Sequence, residues 1–88
     1  MSDSDRRKKL RFRAWHRGTR EADYMIGCYF DRFQTEWDAA ALDWFERLLD
    51  EEDGDVMAWA LGTQAIPPKY AGALMEAMQR LDYVDVPH

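Results

Sequence analysis

The sequence has few of the residues that build catalytic or metal sites. It contains one cysteine, Cys28, and two histidines, His16 and His88, whose spacing matches no zinc-binding pattern. Its five glycines are scattered, so there is no glycine-rich loop to cradle a phosphate. Cys28 falls in an apolar helical stripe, where a cysteine is far more often a small core residue than a nucleophile. The sequence therefore predicts no enzyme, no metal site and no cofactor held stably by the chain itself.

Long apolar runs are also missing. No stretch approaches the roughly 20 residues of a membrane-spanning helix. The N-terminus lacks the apolar core of a secretory signal peptide, and a single cysteine cannot form an internal disulfide. We therefore expect a soluble, monomeric protein of the bacterial cytoplasm, with no direct insertion into a membrane.

Signals for β-strands are scarce, and helical spacing of apolar residues recurs in five places instead. The first helix, from Arg6 to His16, is basic and ends before Gly18. Thr19 is an N-cap for the second helix, in which Gly27 indicates the close approach of a neighbouring element. The second helix carries a wide apolar stripe made of Ala22, Met25, Ile26, Tyr29, Phe30 and Phe33.

The next two helices flank an acidic connector at residues 50–55. The third helix runs from about Asp38 to Asp50, with Thr35 ahead of it in a capping arrangement. The connector is expected to be solvated rather than to bind a cation, because it lacks the alternating ligands of a calcium loop. Asp53 is predicted to cap a short fourth helix that ends at Gly62.

Pro67 and Pro68 are predicted to open the fifth helix, because neither position needs a backbone donor there. Leu74, Met78 and Leu81 continue its apolar face, and residues 82–88 are expected to form a frayed tail. No helix of this length is stable alone, so the five must share one core. The predicted fold is all-α, a compact five-helix bundle in one domain, with its core at about residues 5–81.

Charge is distributed unevenly along the chain. Residues 1–20 carry eight Lys and Arg against two Asp, whereas residues 21–88 carry four against fifteen Asp and Glu. The basic first helix keeps nucleic-acid binding open as an alternative, which predicts an affinity that falls steeply with salt. The isoelectric point near 4.9 has the wrong overall sign for such a protein. No nucleic acid is therefore expected among the partners.

The bend between the first two helices is the most unusual segment, with the sequence His16-Arg-Gly-Thr-Arg-Glu21. Two arginines, a glycine and a glutamate at a helix junction are expected to point outward from a rigid scaffold, as in many binding loops. The alternative interpretation is a helix stop with a surface ion pair between Arg17 and Glu21. Trp44 and Trp59, at helical spacing, are expected in the core.

Two segments carry a resemblance to a known family. Arg17-Gly18-Thr19-Arg20-Glu21, followed by Asp23, resembles the Arg-Gly-x-x-Glu motif of the succinate dehydrogenase assembly factor family, called SdhE in bacteria. The segment from Asp53 to Ala60 is similar to that family's acidic stretch leading into an apolar pair and a tryptophan. The resemblance covers roughly residues 5–81.

The resemblance implies an assembly factor that binds the flavoprotein subunit of succinate dehydrogenase and promotes covalent attachment of its FAD. The fumarate reductase flavoprotein is a second candidate client. The chemistry would belong to the client, whose own histidine becomes bonded to FAD, while the factor holds the reacting geometry. The competing hypothesis is a generic helical adaptor or antitoxin-like protein that binds through an apolar groove. By the family's pattern the partner-binding residues are His16, Arg17, Gly18, Arg20, Glu21 and Asp23, with Asp53, Asp55 and Trp59 as a secondary contact.

Overall fold

A computed structural model describes residues 2–84, and every regular element among them is helical. Five α-helices pack around one aromatic-rich core, which confirms the predicted all-α bundle. Two single turns of 3-10 helix, Gln34–Glu36 and Pro68–Tyr70, interrupt the connections. The α-helices are α1 (Asp3–Trp15), α2 (Arg20–Phe33), α3 (Ala39–Leu49), α4 (Asp53–Leu61) and α5 (Ala73–Gln79).

Side-chain caps fix where the first two helices begin. The Ser2 hydroxyl accepts a hydrogen bond from the backbone N–H of Asp5, so α1 starts three residues earlier than predicted. The Thr19 hydroxyl accepts from the backbone N–H of Ala22, which confirms the predicted cap of α2.

Two predicted caps are wrong. Thr35 lies inside a 3-10 turn, and Asp38 itself caps α3 by accepting from the backbone N–H of Ala41 at 2.9 Å. The N-cap position of α4 is Glu52, which makes no side-chain capping bond, and Asp53 is the first helical residue. The Asp53 carboxylate has a different partner, described below.

The C-terminal part differs most from expectation. Pro67 adopts extended backbone, as the proline that follows it favours, and the prolines lead into a 3-10 turn rather than into α5. Leu81 lies beyond the end of α5 with a positive φ of 58°, so it does not continue the helix, although it packs against the core. Residues 82–84 are no frayed tail, because the Tyr83 ring is buried and its hydroxyl donates to the carbonyl of Met78 at 2.7 Å. Residues 85–88 of the predicted tail lie outside the described residues.

The core is centred on Tyr29 of α2, which has no exposed surface. Its hydroxyl donates to the carbonyl of Leu74 at 2.7 Å, which ties α2 to α5. The predicted α2 stripe is confirmed, with Phe33 only partly buried, and Trp44, Trp59 and Cys28 are buried as expected. The rings packed around Tyr29 are Phe33, Trp37, Trp44, Phe45 and Tyr83.

Helices α1 and α2 approach closely at Gly27. A Cβ on Gly27 would lie 2.3 Å from the Trp15 ring, so only a glycine leaves room for the ring there. The Trp15 indole N–H donates to Asp31 at 3.2 Å, which holds the ring in place. The predicted close approach at Gly27 is confirmed.

Candidate partner-binding site

The bend, residues 16–21, depends on the backbone of Gly18. Gly18 has a φ of 115°, a conformation that residues with a Cβ adopt only with strain. A Cβ built there would meet nothing within 4 Å, so the backbone conformation and not crowding requires glycine. The open space in front of Gly18 also lets another backbone approach the bend closely.

Arg17 points into the protein, and the expectation that it points outward is wrong. Its Nε donates to Asp53 Oδ1 at 2.7 Å, and its Nη2 donates to the carbonyls of Leu49 at 2.8 Å and Glu51 at 3.2 Å. Only 11% of the Arg17 side chain is exposed. The surface pair with Glu21, the alternative interpretation, is not formed either. Carbonyls at the end of α3 and just past it lack helical partners and carry partial negative charge, which favours a guanidinium there.

Asp23 stabilises the bend by binding its backbone. Its Oδ1 accepts a hydrogen bond from the backbone N–H of Arg17 at 2.5 Å. The carboxylate lies in the first turn of α2, where the helix dipole stabilises a negative charge. Asp23 and Arg17 therefore act together as a brace on the bend, and neither side chain is free.

The Arg17–Asp53 pair joins the two motifs that carried the resemblance. The partners are 36 residues apart in the sequence, and the ion pair brings the start of α4 against the bend. The two other predicted secondary contacts, Asp55 and Trp59, are both at least partly buried. Asp55 is half-buried and accepts from Gln64 Nε2 at 3.4 Å. Trp59 is 3% exposed, and its role as a contact residue stays a prediction.

The free side chains of the bend are those of Arg20 and Glu21. Both are exposed in the first turn of α2, and neither makes an ion pair or a side-chain hydrogen bond with any other residue between 2 and 84. Arg20 borders a shallow depression that is also lined by Trp15, Asp23 and Tyr24. The bend therefore presents a cation and a carboxylate side by side on a fixed backbone.

His16 is exposed and stacks on Phe12 of α1, with ring centroids 4.0 Å apart and an interplanar angle of 18°. Its Nδ1 donates to the Phe12 carbonyl at 2.6 Å. Phe12 is 64% exposed and was missed in the sequence analysis. The signal was available, because Phe12 lies four residues before His16 and opposite the buried positions of Leu10 and Ala14.

The basic charge of α1 is largely neutralised within the protein. Each of its four arginines contacts a carboxylate, and three of these contacts reach another helix or its end. Arg7 pairs within α1 with Asp3 and also donates to the carbonyl of Trp37 at 2.7 Å. Hydrogen bonding to carboxylates raises the pKa of both Arg6 and Arg11. The interhelical pairs are Arg6 with Asp43, Arg11 with Asp31 at 2.9 Å, and Arg13 with Asp50 at 2.7 Å.

The uneven charge of the sequence therefore has a structural reason, since a basic helix lies on an acidic body. Lys8 and Lys9 are the exposed cations of α1 that take part in none of the ion pairs between residues 2 and 84. Two unpaired lysines on one helix provide little positive charge for contacts with nucleic-acid phosphates. The structure thus weakens the reason for keeping nucleic-acid binding as an alternative.

Among residues 2–84, no group of three or more His, Cys, Asp or Glu side chains is arranged to hold a metal ion. Among the same residues, no helix is both long and apolar enough to cross a bilayer.

The fold and the bend thus define a small all-α domain that presents charged side chains on a braced backbone. Residues 8–82 match the family model described as flavinator of succinate dehydrogenase, and the chain belongs to this family. The family resemblance stated from the two motifs is thereby confirmed.

Three relatives support the assignment. The chain is 33% identical over 73 residues to the FAD assembly factor SdhE of Acetobacter pasteurianus, which covers 83% of this chain and 67% of that protein. It is 32% identical over 63 residues to the mitochondrial succinate dehydrogenase assembly factor 2 of Scheffersomyces stipitis. It is 33% identical over 63 residues to the protein of the same name from Mycosarcoma maydis. Each mitochondrial match covers 72% of this chain but only 42% and 26% of those relatives. No solved structure matches the chain significantly.

Proposed function

We propose that this protein is an assembly factor that binds the flavoprotein subunit of succinate dehydrogenase and promotes covalent attachment of FAD to it. Family membership supports the proposal. The structural observation that carries it is the bend, where Arg20 and Glu21 are free while Arg17 and Asp23 hold the backbone. A braced bend whose exposed charges have no partner within the protein is suited to docking, because little conformational entropy is lost when a partner binds.

The docking surface, in this proposal, is formed by the exposed residues of the bend. Glu21 accepts hydrogen bonds from a basic group of the client, and Arg20 donates to a carboxylate or to backbone carbonyls. The absence of a side chain at Gly18 lets the client backbone pass over the bend. Arg17 contributes indirectly, because its contacts with Asp53 and the end of α3 set the position of Glu21.

The chemical step belongs to the client in this proposal. FAD and the histidine that becomes bonded to it are held by the flavoprotein, and this chain supplies the geometry in which they meet. The thiol of Cys28 is buried in the core. The fumarate reductase flavoprotein is proposed as a second client. A monomeric state and a location in the bacterial cytoplasm also stay predictions.

The test is a flavinylation assay with purified components. The apo flavoprotein and FAD are incubated with or without this protein, and covalent flavin is read as fluorescence of the large subunit in a denaturing gel. We expect faster labelling with the wild-type protein and strongly reduced labelling with Glu21→Gln. Glu76→Gln is the matched control, because Glu76 is also an exposed glutamate in the first turn of a helix.

Gly18 provides a second pair of variants. Gly18→Ala and Gly18→Arg share the backbone strain of a positive φ, so both should lower stability by a similar amount, about 1–3 kcal/mol. Only the arginine adds bulk in front of the bend, so only Gly18→Arg should abolish docking at a temperature where both variants are folded. Equal labelling by both variants, or by wild type and Glu21→Gln, would contradict the proposed docking surface.

A further inference from the structure

The outward face of α1 carries an aromatic residue with no core role. Lys8, Phe12 and His16 follow one another at a spacing of four residues, so they share one face of the helix. Phe12 and Leu61 are the large apolar side chains that stand exposed among residues 2–84, at 64% and 54%. Single exposed apolar residues are common, so exposure alone does not identify a binding site.

Three observations distinguish Phe12 from Leu61. The Phe12 ring is held by its stacking on His16, whose Nδ1 also donates to the Phe12 carbonyl at 2.6 Å. A ring held in one orientation loses less entropy on binding than a freely rotating side chain. A shallow depression beside the ring is lined by Lys8, Lys9 and Arg13, so apolar and cationic surfaces adjoin there.

The third observation is the different use of the cations of α1. The arginines make ion pairs within the protein, whereas Lys8 and Lys9 are exposed and unpaired among the described residues. The face formed by Lys8, Lys9, Phe12 and His16, here called the α1 ridge, thus combines a fixed aromatic ring with two free positive charges. His16 belongs both to the α1 ridge and to the bend, so the α1 ridge ends where the segment that presents Arg20 and Glu21 begins.

We propose that Phe12 is a hydrophobic anchor of the docking surface. It inserts into an apolar pocket of the client flavoprotein, and carboxylates at the rim of that pocket pair with Lys8 and Lys9. This inference rests on the proposed function, since continuity with the bend identifies the same client as the occupant. Aromatic side chains placed in this way commonly dominate binding energy, while charges at the rim mainly set the association rate.

The experiment measures binding of the full-length chain to the purified apo flavoprotein subunit by biolayer interferometry. Phe12→Ala should raise the Kd at least about tenfold, as expected for an aromatic anchor. Leu61→Ala is the matched control and should change the Kd by less than about twofold. The double variant Lys8→Gln and Lys9→Gln should slow association and flatten its dependence on salt. Thermal melts should be unchanged in Phe12→Ala, because the ring is mostly outside the core.

The outcomes separate this inference from the proposed function. If Glu21→Gln loses binding while Phe12→Ala binds like wild type, the α1 ridge is not part of the interface, and the proposed function stands. Equal losses in Phe12→Ala and Leu61→Ala would indicate unspecific apolar contact and would also overturn the inference. If the wild-type chain does not bind the flavoprotein at all, both the inference and the proposed function are wrong.

Discussion

Removing the Arg17 side chain should destabilise the fold as well as weaken docking. The ion pair with Asp53 has side-chain exposures of 11% and 25%, which lie between those of surface and buried pairs. Exposed pairs contribute about 0–1 kcal/mol, whereas breaking a fully buried pair costs about 3–5 kcal/mol. Arg17 also donates to two carbonyls at the end of α3, and these lose their partner together with Asp53. We therefore expect Arg17→Ala to lower the free energy of unfolding by about 2–3 kcal/mol.

Thermal melts followed by circular dichroism would measure this loss. A domain of this size loses about 4–8 °C of Tm per kcal/mol, so a loss of about 2–3 kcal/mol should lower the Tm by about 8–24 °C. Arg13→Ala is the matched control, because its pair with Asp50 is exposed by 39% and 70% and should contribute at most about 1 kcal/mol. Arg17→Lys keeps the positive charge but not the planar guanidinium with its several donors, so its Tm should lie between those of wild type and Arg17→Ala.

Binding data would separate bracing from direct contact. If Arg17 acts through its brace, Asp53→Ala should weaken client binding in the same direction as Arg17→Ala, and in proportion to the stability lost. The reasoning is refuted if Arg17→Ala lowers the Tm no more than Arg13→Ala does. It is also refuted if Arg17→Ala abolishes binding while Asp53→Ala, equally folded, binds like wild type.

Three further predictions concern stability. Gly27→Ala should lower the free energy of unfolding by about 1–3 kcal/mol, because its Cβ would meet the Trp15 ring. Gly54→Ala, in an open helical position, should raise it by about 0.5–1 kcal/mol, and urea melts of the two variants measure both changes. Burial raises the pKa of Tyr70 from 10.0 to about 12, so the unfolded chain loses the Tyr70 proton at a lower pH than the folded protein does. The free energy of unfolding should therefore fall as the pH rises from 10.0 to about 12, and melts of Tyr70→Phe should show a weaker pH dependence in that range. The Tyr70 hydrogen bond lowers the pKa of Glu51 below 4.5, so stability should be lost as the pH falls through the lowered pKa, and less so in Glu51→Gln.

The helices could be predicted where their signals are local. The apolar stripe of α2 and its Thr19 cap involve residues within a few turns of one another, and both are confirmed. Gly62 ends α4 with a φ of 77°, as a glycine after the last apolar residue predicts. The positive φ of Gly18 likewise follows from its place between two helical patterns.

The features that the sequence analysis missed depend on distant contacts. Arg17 turns inward because Asp53 and the end of α3 meet it in space, and nothing near Arg17 in the sequence indicates those acceptors. Tyr83 is buried because it packs on Tyr29 and Phe33, more than 45 residues earlier in the chain. The segment after α5 is short, and its local sequence contains no information about that packing.

The contrast between Arg17 and Glu21 shows why a binding motif needs both structural and contact residues. Gly18 has a positive φ, and Arg17 before it faces the body of the protein, whereas Arg20 and Glu21 after it are exposed in the first turn of α2. Loss of either Arg17 or Glu21 would therefore look the same in a flavinylation assay, although one removes the brace and the other removes the contact. The Tm of each variant distinguishes them, because Glu21 has no side-chain partner among the described residues whose loss would destabilise the fold. Each variant of the bend must accordingly be measured for both stability and affinity before its residue is counted as part of the interface.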